Sequence, residues 1–448
     1  MERYDFANNI MLVCGLGDVP KDCGTKVGKL YFSPRLGIAY RATDTTVIRS
    51  GFGVNWDPWN LARPLRTNYP ILAVLNVNAT SLGWATTFDQ GLPEVPIPQI
   101  ENGRVALDPK YALNSTDDRF TRGYIMNWNF TIERQLPAGF IGQVGYVANR
   151  SVNISGVVDQ NAGRVIGADR AGQKFFNLFG RTVATNLVDA ANSSTYHSLQ
   201  ATLSRRFTNG IQLNLSYTFS KAMGICCNED NNGRPRIQAP EYYDLNWTVL
   251  NFDRTHNLQI SGVFELPFGK GKKWAAGNAA IDALISGWQI NTLTSILSGT
   301  PFSVTSDGGS LRMPGNDQRA DQVKREVRKL GGIGPGQPYY DFTAFARVTE
   351  PRFGTAGFNS LRGPAWFNTD IGLFRRFSFT ESVNLEFRAE AFNATNTPKF
   401  NNPSGGINNL QTFPDGRFRS GVFEITGVNS LGRDVPERIF RLGLRLSF

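Results

Sequence analysis

The chain has 448 residues, enough for two or three ordinary domains or for one large barrel. Its 41 % hydrophobic content excludes a compositionally disordered chain, and the absence of any run of about 18 apolar residues excludes a spanning helix. The net charge is +10, but Lys and Arg are scattered, and the densest cluster, Lys324–Lys329, is broken by Glu326 and apolar residues, which argues against a nucleic-acid-binding face.

In chain order, Met1 is followed by Glu2, Arg3, Tyr4 and Asp5, with no apolar stretch of the kind that opens an exported protein. Cys14 and Cys23 stand in a Gly-, Pro- and Asp-containing stretch, and Cys226 and Cys227 are adjacent in an Asn-rich one. An even number of loop cysteines fits a disulfide-permissive compartment. Closure of a small loop by Cys14 and Cys23 is left open by the sequence, and neighbouring cysteines such as Cys226 and Cys227 rarely bond each other. The spacing is not that of a four-Cys metal site.

Period-two alternation, the signature of a strand with two unlike faces, begins at Phe32–Tyr40 and Thr46–Asn55 and continues through Arg122–Gln135, Phe140–Ala148 and Tyr196–Phe207. It is cleanest over Ile211–Ser220, where Ile211, Leu213, Leu215, Tyr217 and Phe219 oppose Gln212, Asn214, Ser216, Thr218 and Ser220. His256–Leu266, Gly287–Ser298, Trp366–Phe377, Val383–Asn393 and Arg438–Phe448 follow, so that eleven strands are expected. Helix is nearly absent, with only Ala279–Ser286 and Lys324–Lys329 as weak candidates.

The connections alternate in length. Short ones at Arg41–Thr45, Leu136–Gly139, Thr208–Gly210 and Ser378–Ser382, with a longer one at Pro267–Ser286, interleave with long ones at Trp56–Thr121, Asn149–Thr195, Lys221–Thr255, Gly299–Ala365 and Ala394–Glu437. Outer-membrane barrels have short periplasmic turns and long external loops, whereas compact soluble domains have mostly short loops. The fold expected is therefore all-β: an antiparallel up-and-down transmembrane β-barrel, of which about 11–12 strands are visible. Apolar positions such as Leu385 and Phe387 are expected to face lipid near mid-membrane. Glu386, Arg388, Glu390, Arg441 and Arg445 share polar faces that a dry core could not accept, so a hydrated lumen is expected there. Aromatics near the turns fit interfacial girdles.

Several stretches then resemble one family, the Oar-like TonB-dependent receptors: SYTFSKA (Ser216–Ala222), FDRTHNLQISGVFELPFGKGKKW (Phe252–Trp274), GWQINTLTSILSGTPFSV (Gly287–Val304), LRGPAWFNTDIGLFRRF (Leu361–Phe377) and FRAEAFNATNTPKFNNP (Phe387–Pro403). The end, RIFRLGLRLSF, resembles the signal read by barrel-assembly machinery, with Phe440, Leu442, Leu444, Leu446 and Phe448 as its apolar series. The resemblance implies an outer-membrane receptor for uptake or export of a ligand, energised by a TonB-type partner through a plug. No plug, TonB box or regulatory-like domain is recognisable in this sequence, and such barrels have about 22 strands. Residues 1–448 are thus expected to form the carboxyl-terminal half of a barrel.

Enzymatic motifs are lacking. The two histidines, His197 and His256, stand at strand starts and fit rim positions better than a triad. No GxSxG, HExxH, EF-hand or GxxxxGK[ST] pattern occurs, and GGIGPG (Gly331–Gly336) lacks the strand-to-helix setting of a phosphate loop. No cofactor or metal is expected. The other readings are a passive porin, an adhesive surface barrel and, less favoured by the loop alternation, a soluble all-β binding module.

Overall fold

Eleven strands lie side by side in one antiparallel sheet, each bonded to the strand before it and after it in the chain. They are β1 (Arg35–Thr43), β2 (Thr46–Trp56), β3 (Tyr124–Gln135), β4 (Phe140–Asp159), β5 (Thr185–Thr208), β6 (Ile211–Ile225), β7 (His256–Glu265), β8 (Trp288–Leu297), β9 (Trp366–Ser378), β10 (Asn384–Phe392) and β11 (Ile439–Ser447). The structure is a computed structural model and describes residues 2–57, 86–91, 100, 102–109, 113–116, 118–225, 233–269, 272–274, 278–380, 382–429 and 436–448. Trp247–Val249 adds to β6, and Leu113–Thr116 runs parallel to β5. Among the described residues, β1 and β11 each bond one wall neighbour, and the sheet does not close on itself.

The register shows why the alternating sequence folds this way. Directly opposed residues point to the same face, and one row reads Tyr40, Ile48, Ile132, Val144, Ala201, Tyr217, Leu258, Ile296 and Phe367 across β1 to β9. The row beside it on the other face reads Arg41, Val47, Glu133, Gln143, Thr202, Ser216, Gln259, Ser295 and Asn368. A slip of one residue in any pair would mix the two sets. The apolar face is not a dry core: Ile38 is 60 % and Leu442 76 % exposed.

All eleven expected strands are present. β1 starts three residues later than the alternation suggests, because Pro34 has no N–H to donate; its carbonyl instead accepts from Val54 N at 3.0 Å, and that of Phe32 accepts from Trp56 Nε1 at 2.7 Å. β4, β5 and β6 extend well beyond their expected ends, into the long connections. Leu385 and Phe387 stand on the apolar face of β10, the second and fourth of its nine residues. Leu215, Ile260 and Thr294 form one row of the same face further round the wall.

Ala279–Ile285 is a helix, as expected. Lys324–Lys329 is not. Its backbone makes long-range bonds, Arg328 O accepting from Asp341 N at 2.9 Å and Lys329 bridging Tyr340, in place of local helical ones. A one-and-a-half-turn helix at Lys174–Phe179, ended by Gly180 in the left-handed region at φ +70°, has no alternating or heptad signal in the sequence.

Hydrophobic cores lie in the long connections and in the segment before β1, not under the sheet. The largest joins Phe302, Val304, Tyr340 and Phe345 from the β8–β9 connection to Ile407, Val422 and Phe423 from the β10–β11 connection. A second packs Tyr4 and Met11 against Val105, Leu107 and Leu113. The sulfurs of Cys14 and Cys23 are bonded, with Cα atoms 5.0 Å apart, beside Leu12 and Val19. Cys226 and Cys227 lie outside the described residues.

Candidate functional site

The long connections converge on one end of the sheet, and polar side chains tie them into a single cap. Asn316, buried in the β8–β9 connection, is the hub. Its Oδ1 accepts from Gln238 N at 2.8 Å and Ala239 N at 3.1 Å, and its Nδ2 donates to Gly163 O at 3.0 Å. One amide thus joins the connections after β4, β6 and β8. Around it, Gly163 N donates to Pro314 O at 2.7 Å, Arg312 pairs with Asp169 at 2.5 Å, and Arg236 pairs with Asp317 at 3.4 Å. Buried amides and carbonyls must be satisfied, and here they are satisfied between connections, which fixes each relative to the others.

A second tie fastens this cap to the wall. Asp253, almost completely buried, accepts from Ala222 N at 2.7 Å and from the Arg362 guanidinium. Arg362 also donates to Asp253 O at 3.3 Å and Gly299 O at 3.1 Å. Beside it, Arg254 lies over the Trp366 ring at 4.1 Å. Burial, with the Arg362 charge nearby, pushes the Arg254 guanidinium below its ordinary value. Tyr340 donates to Arg362 O at 2.7 Å, and its burial raises the phenol.

The polar face of the sheet carries the charged residues singled out from the sequence. Glu386 of β10 stands opposite Arg376 of β9 and Arg445 of β11, and Glu390 stands opposite Arg441. Arg388 donates to Glu386 and lies over the Phe374 ring at 5.5 Å. Neighbouring strands therefore oppose unlike charges, an arrangement that stabilises cross-strand pairs. The apolar series Phe440, Leu442, Leu444 and Leu446 lies on the other face of β11, and Phe440, Leu442, Leu444, Leu446 and Phe448 are all exposed.

The histidines are rim residues paired with tyrosines. His197 Nδ1 lies 2.6 Å from Tyr146 Oη, and His256 Nδ1 lies 2.8 Å from Tyr217 Oη, each across one strand pair on the apolar face. His256 meets Ser298 through its backbone, its N donating to Ser298 Oγ at 2.7 Å, and the imidazole hydrogen bonds shown among the described residues are those to the two tyrosines. Where Tyr31 and Trp56 meet at 4.9 Å, a cavity of about 430 Å³ is lined also by Lys26, Arg119 and Arg122. GGIGPG is a loop docked on its neighbour, Gly334 N donating to Ile425 O at 3.1 Å.

A family model described as "Outer membrane beta barrel domain" matches residues 1–424. The chain belongs to that family. It is an outer-membrane β-barrel domain, and the alternation of connections gives its orientation: the capped end is external and the short turns are periplasmic. Its apolar face is therefore the lipid face.

No curated protein matches the barrel domain. Solved structures do so at low identity. The outer membrane transporter YddB of Escherichia coli is 9 % identical over 91 % of this chain and 39 % of its own, with a TM-score of 0.43. A ferric enterobactin receptor mutant of Pseudomonas aeruginosa is 10 % identical over 93 % and 40 %, with a TM-score of 0.42. The siderophore receptor PiuA of Acinetobacter baumannii is 8 % identical over 92 % and 35 %, with a TM-score of 0.39. The barrel domain thus spans well under half the length of each of these structures.

Asn316 and the Asp253–Arg362 pair were not legible as a site. Asp253, Arg254, Arg362 and Trp366 all fall in stretches that mark the family resemblance, FDRTHN and LRGPAWF, but their sequence separation hides the contact. Spacing on the polar faces, by contrast, does reveal Glu386, Arg388, Glu390, Arg441 and Arg445.

Proposed function

We propose that this barrel domain is the wall and external cap of an Oar-like TonB-dependent receptor that moves a ligand across the outer membrane, and that it has no catalytic role. The observation that carries the reading is the cap: three long connections cross-tied through Asn316 and fastened to the wall by Asp253 and Arg362 make a pre-formed external surface over a polar sheet face. On this reading Glu386, Arg388, Glu390, Arg441 and Arg445 line the lumen, where water and opposite charges remove the cost of burying them. The open edges of β1 and β11 are completed by further wall strands, because no strand edge stays unpaired in lipid. The energiser acts through a plug domain, and barrel-assembly machinery reads the β11 series ending in Phe448.

Thiol labelling in intact cells tests this. Gln259→Cys sits mid-strand on the polar face. With a membrane-impermeant maleimide, an energised receptor gives labelling that falls several-fold when the inner membrane is uncoupled. Labelling unchanged by the uncoupler supports a passive porin, and no labelling in either state supports a closed adhesive barrel; both outcomes overturn the proposal.

A further inference from the structure

The lipid face of the wall has a one-sided charge. From the short turns up to the β4 bulge at Ser151–Ile154, the wall strands hold five acidic residues, Glu133, Glu265, Asp370, Glu386 and Glu390, and the register puts all five on the polar face. Among the described residues of this region, no Asp or Glu stands on the lipid face. Basic groups do, but only at its two margins. Arg134, Arg205 and Arg375 lie at the periplasmic end, where Arg205 covers the Phe140 ring at 5.3 Å and Arg375 the Phe377 ring at 4.1 Å.

At the external margin stand Arg150, His197 and Lys221. His197 is directly opposite Lys221 on β6 and Ala148 on β4, and Arg150 is two residues beyond Ala148 on the same face. Cross-strand partners are about 5 Å apart and diagonal neighbours about 7–8 Å, so the three side chains reach one patch. All three are exposed. The His197 ring is fixed, stacked on Tyr146 with centroids 6.1 Å apart and edge-on to Trp128 at 6.3 Å. The cavity of Lys26, Arg119 and Arg122 continues the same margin over Trp56.

We infer that Arg150, His197 and Lys221 form a docking site for the phosphate of an outer-leaflet lipid headgroup. The face below the patch is covered by acyl chains, so whatever lies over the patch is the headgroup of those same lipids. A random distribution of surface charge would place acids there too; their confinement to the other face is charge complementarity to an anion. The aromatic rings beneath hold the site at headgroup depth, and the Tyr146 bond fixes the His197 ring beside Lys221.

The full chain, extracted from outer membranes into zwitterionic micelles, tests the site when the micelles are doped with phosphatidic acid, with phosphatidylcholine, or supplied with inorganic phosphate. Phosphatidic acid should raise the unfolding midpoint, while phosphatidylcholine and inorganic phosphate should not. Arg150→Gln, His197→Gln and Lys221→Gln together should abolish the shift, with lipid affinity about fivefold weaker for each full charge removed. Arg49→Gln with Arg376→Gln, on the polar face, should leave the shift intact. If the triple variant does not fold, Lys221→Gln alone should still halve the shift or more. A shift retained by the variants, or reproduced by inorganic phosphate or phosphatidylcholine, overturns the inference.

Discussion

Arg362 closes on Asp253 across 109 residues of sequence, and the other oxygen of that carboxylate accepts from Ala222 N at 2.7 Å. The start of β7, the upper part of β6 and the connection leading into β9 therefore share one buried charge. Removing one partner of such a pair leaves the other desolvated and uncompensated.

Arg362→Met should destabilise the domain by about 3 kcal/mol, less than a fully buried pair loses, since the Arg362 side chain is 33 % exposed. Asp253→Asn with Arg362→Met should cost less than the sum of the two single changes. Urea unfolding of the folded barrel in detergent measures both. Additive losses would show that the two side chains do not act as a pair.

Asn316→Ala should leave the buried N–H groups of Gln238 and Ala239 without an acceptor, at about 1–3 kcal/mol each. The loss should be local. Hydrogen exchange should quicken over residues 233–240 and 311–318, with the wall strands unchanged. Asn316→Asp, which keeps the acceptor, should preserve more protection than Asn316→Ala. Equal exchange in all three proteins would remove Asn316 from its place as hub.

Lysine at the two faces should separate lipid from lumen. Ile260→Lys places a charge mid-strand on the apolar face and should cost roughly 2–4 kcal/mol in refolding into vesicles. Gln259→Lys, one residue away on the polar face, should cost much less. Lysine at Leu385 or Phe387, on the same apolar face as Ile260, should cost a comparable amount. Matching losses at Ile260 and Gln259 would be incompatible with the face assignment.

The cap should weaken in acid through Asp321. Arg352 hydrogen bonds hold its carboxyl below the usual carboxylate range. A depressed folded pKa contributes stability that is fully present above the unfolded value of about 4 and is lost as pH falls through the folded one. Protease resistance of the β8–β9 connection should therefore decline below about pH 4. Arg352→Gln should be less resistant at neutral pH and show a flatter acid limb. An acid limb as steep in Arg352→Gln as in the parent would assign the effect to another group.

The wall was legible in the sequence because its cause is local. Alternation such as Ile211 to Ser220 puts unlike surfaces on the two sides of a strand, and a sheet in lipid needs one such side; neighbouring strands then pair in chain order through turns like Thr208–Gly210. The boundaries that failed have local reasons too, as at Pro34. The polar-face charges, including Glu386 and Arg445, follow from the same parity, though their opposition needed the register. What only tertiary structure decided is the cap. Asn316, Asp253 and Arg362 are ordinary polar residues in irregular connections, and the Lys324–Lys329 stretch, weakly helical by pattern, is irregular because Tyr340 and Asp341 supply its partners. Their partners lie tens to more than a hundred residues away, so no periodicity encodes them, and they are set when folded connections must satisfy each other's buried hydrogen-bonding groups.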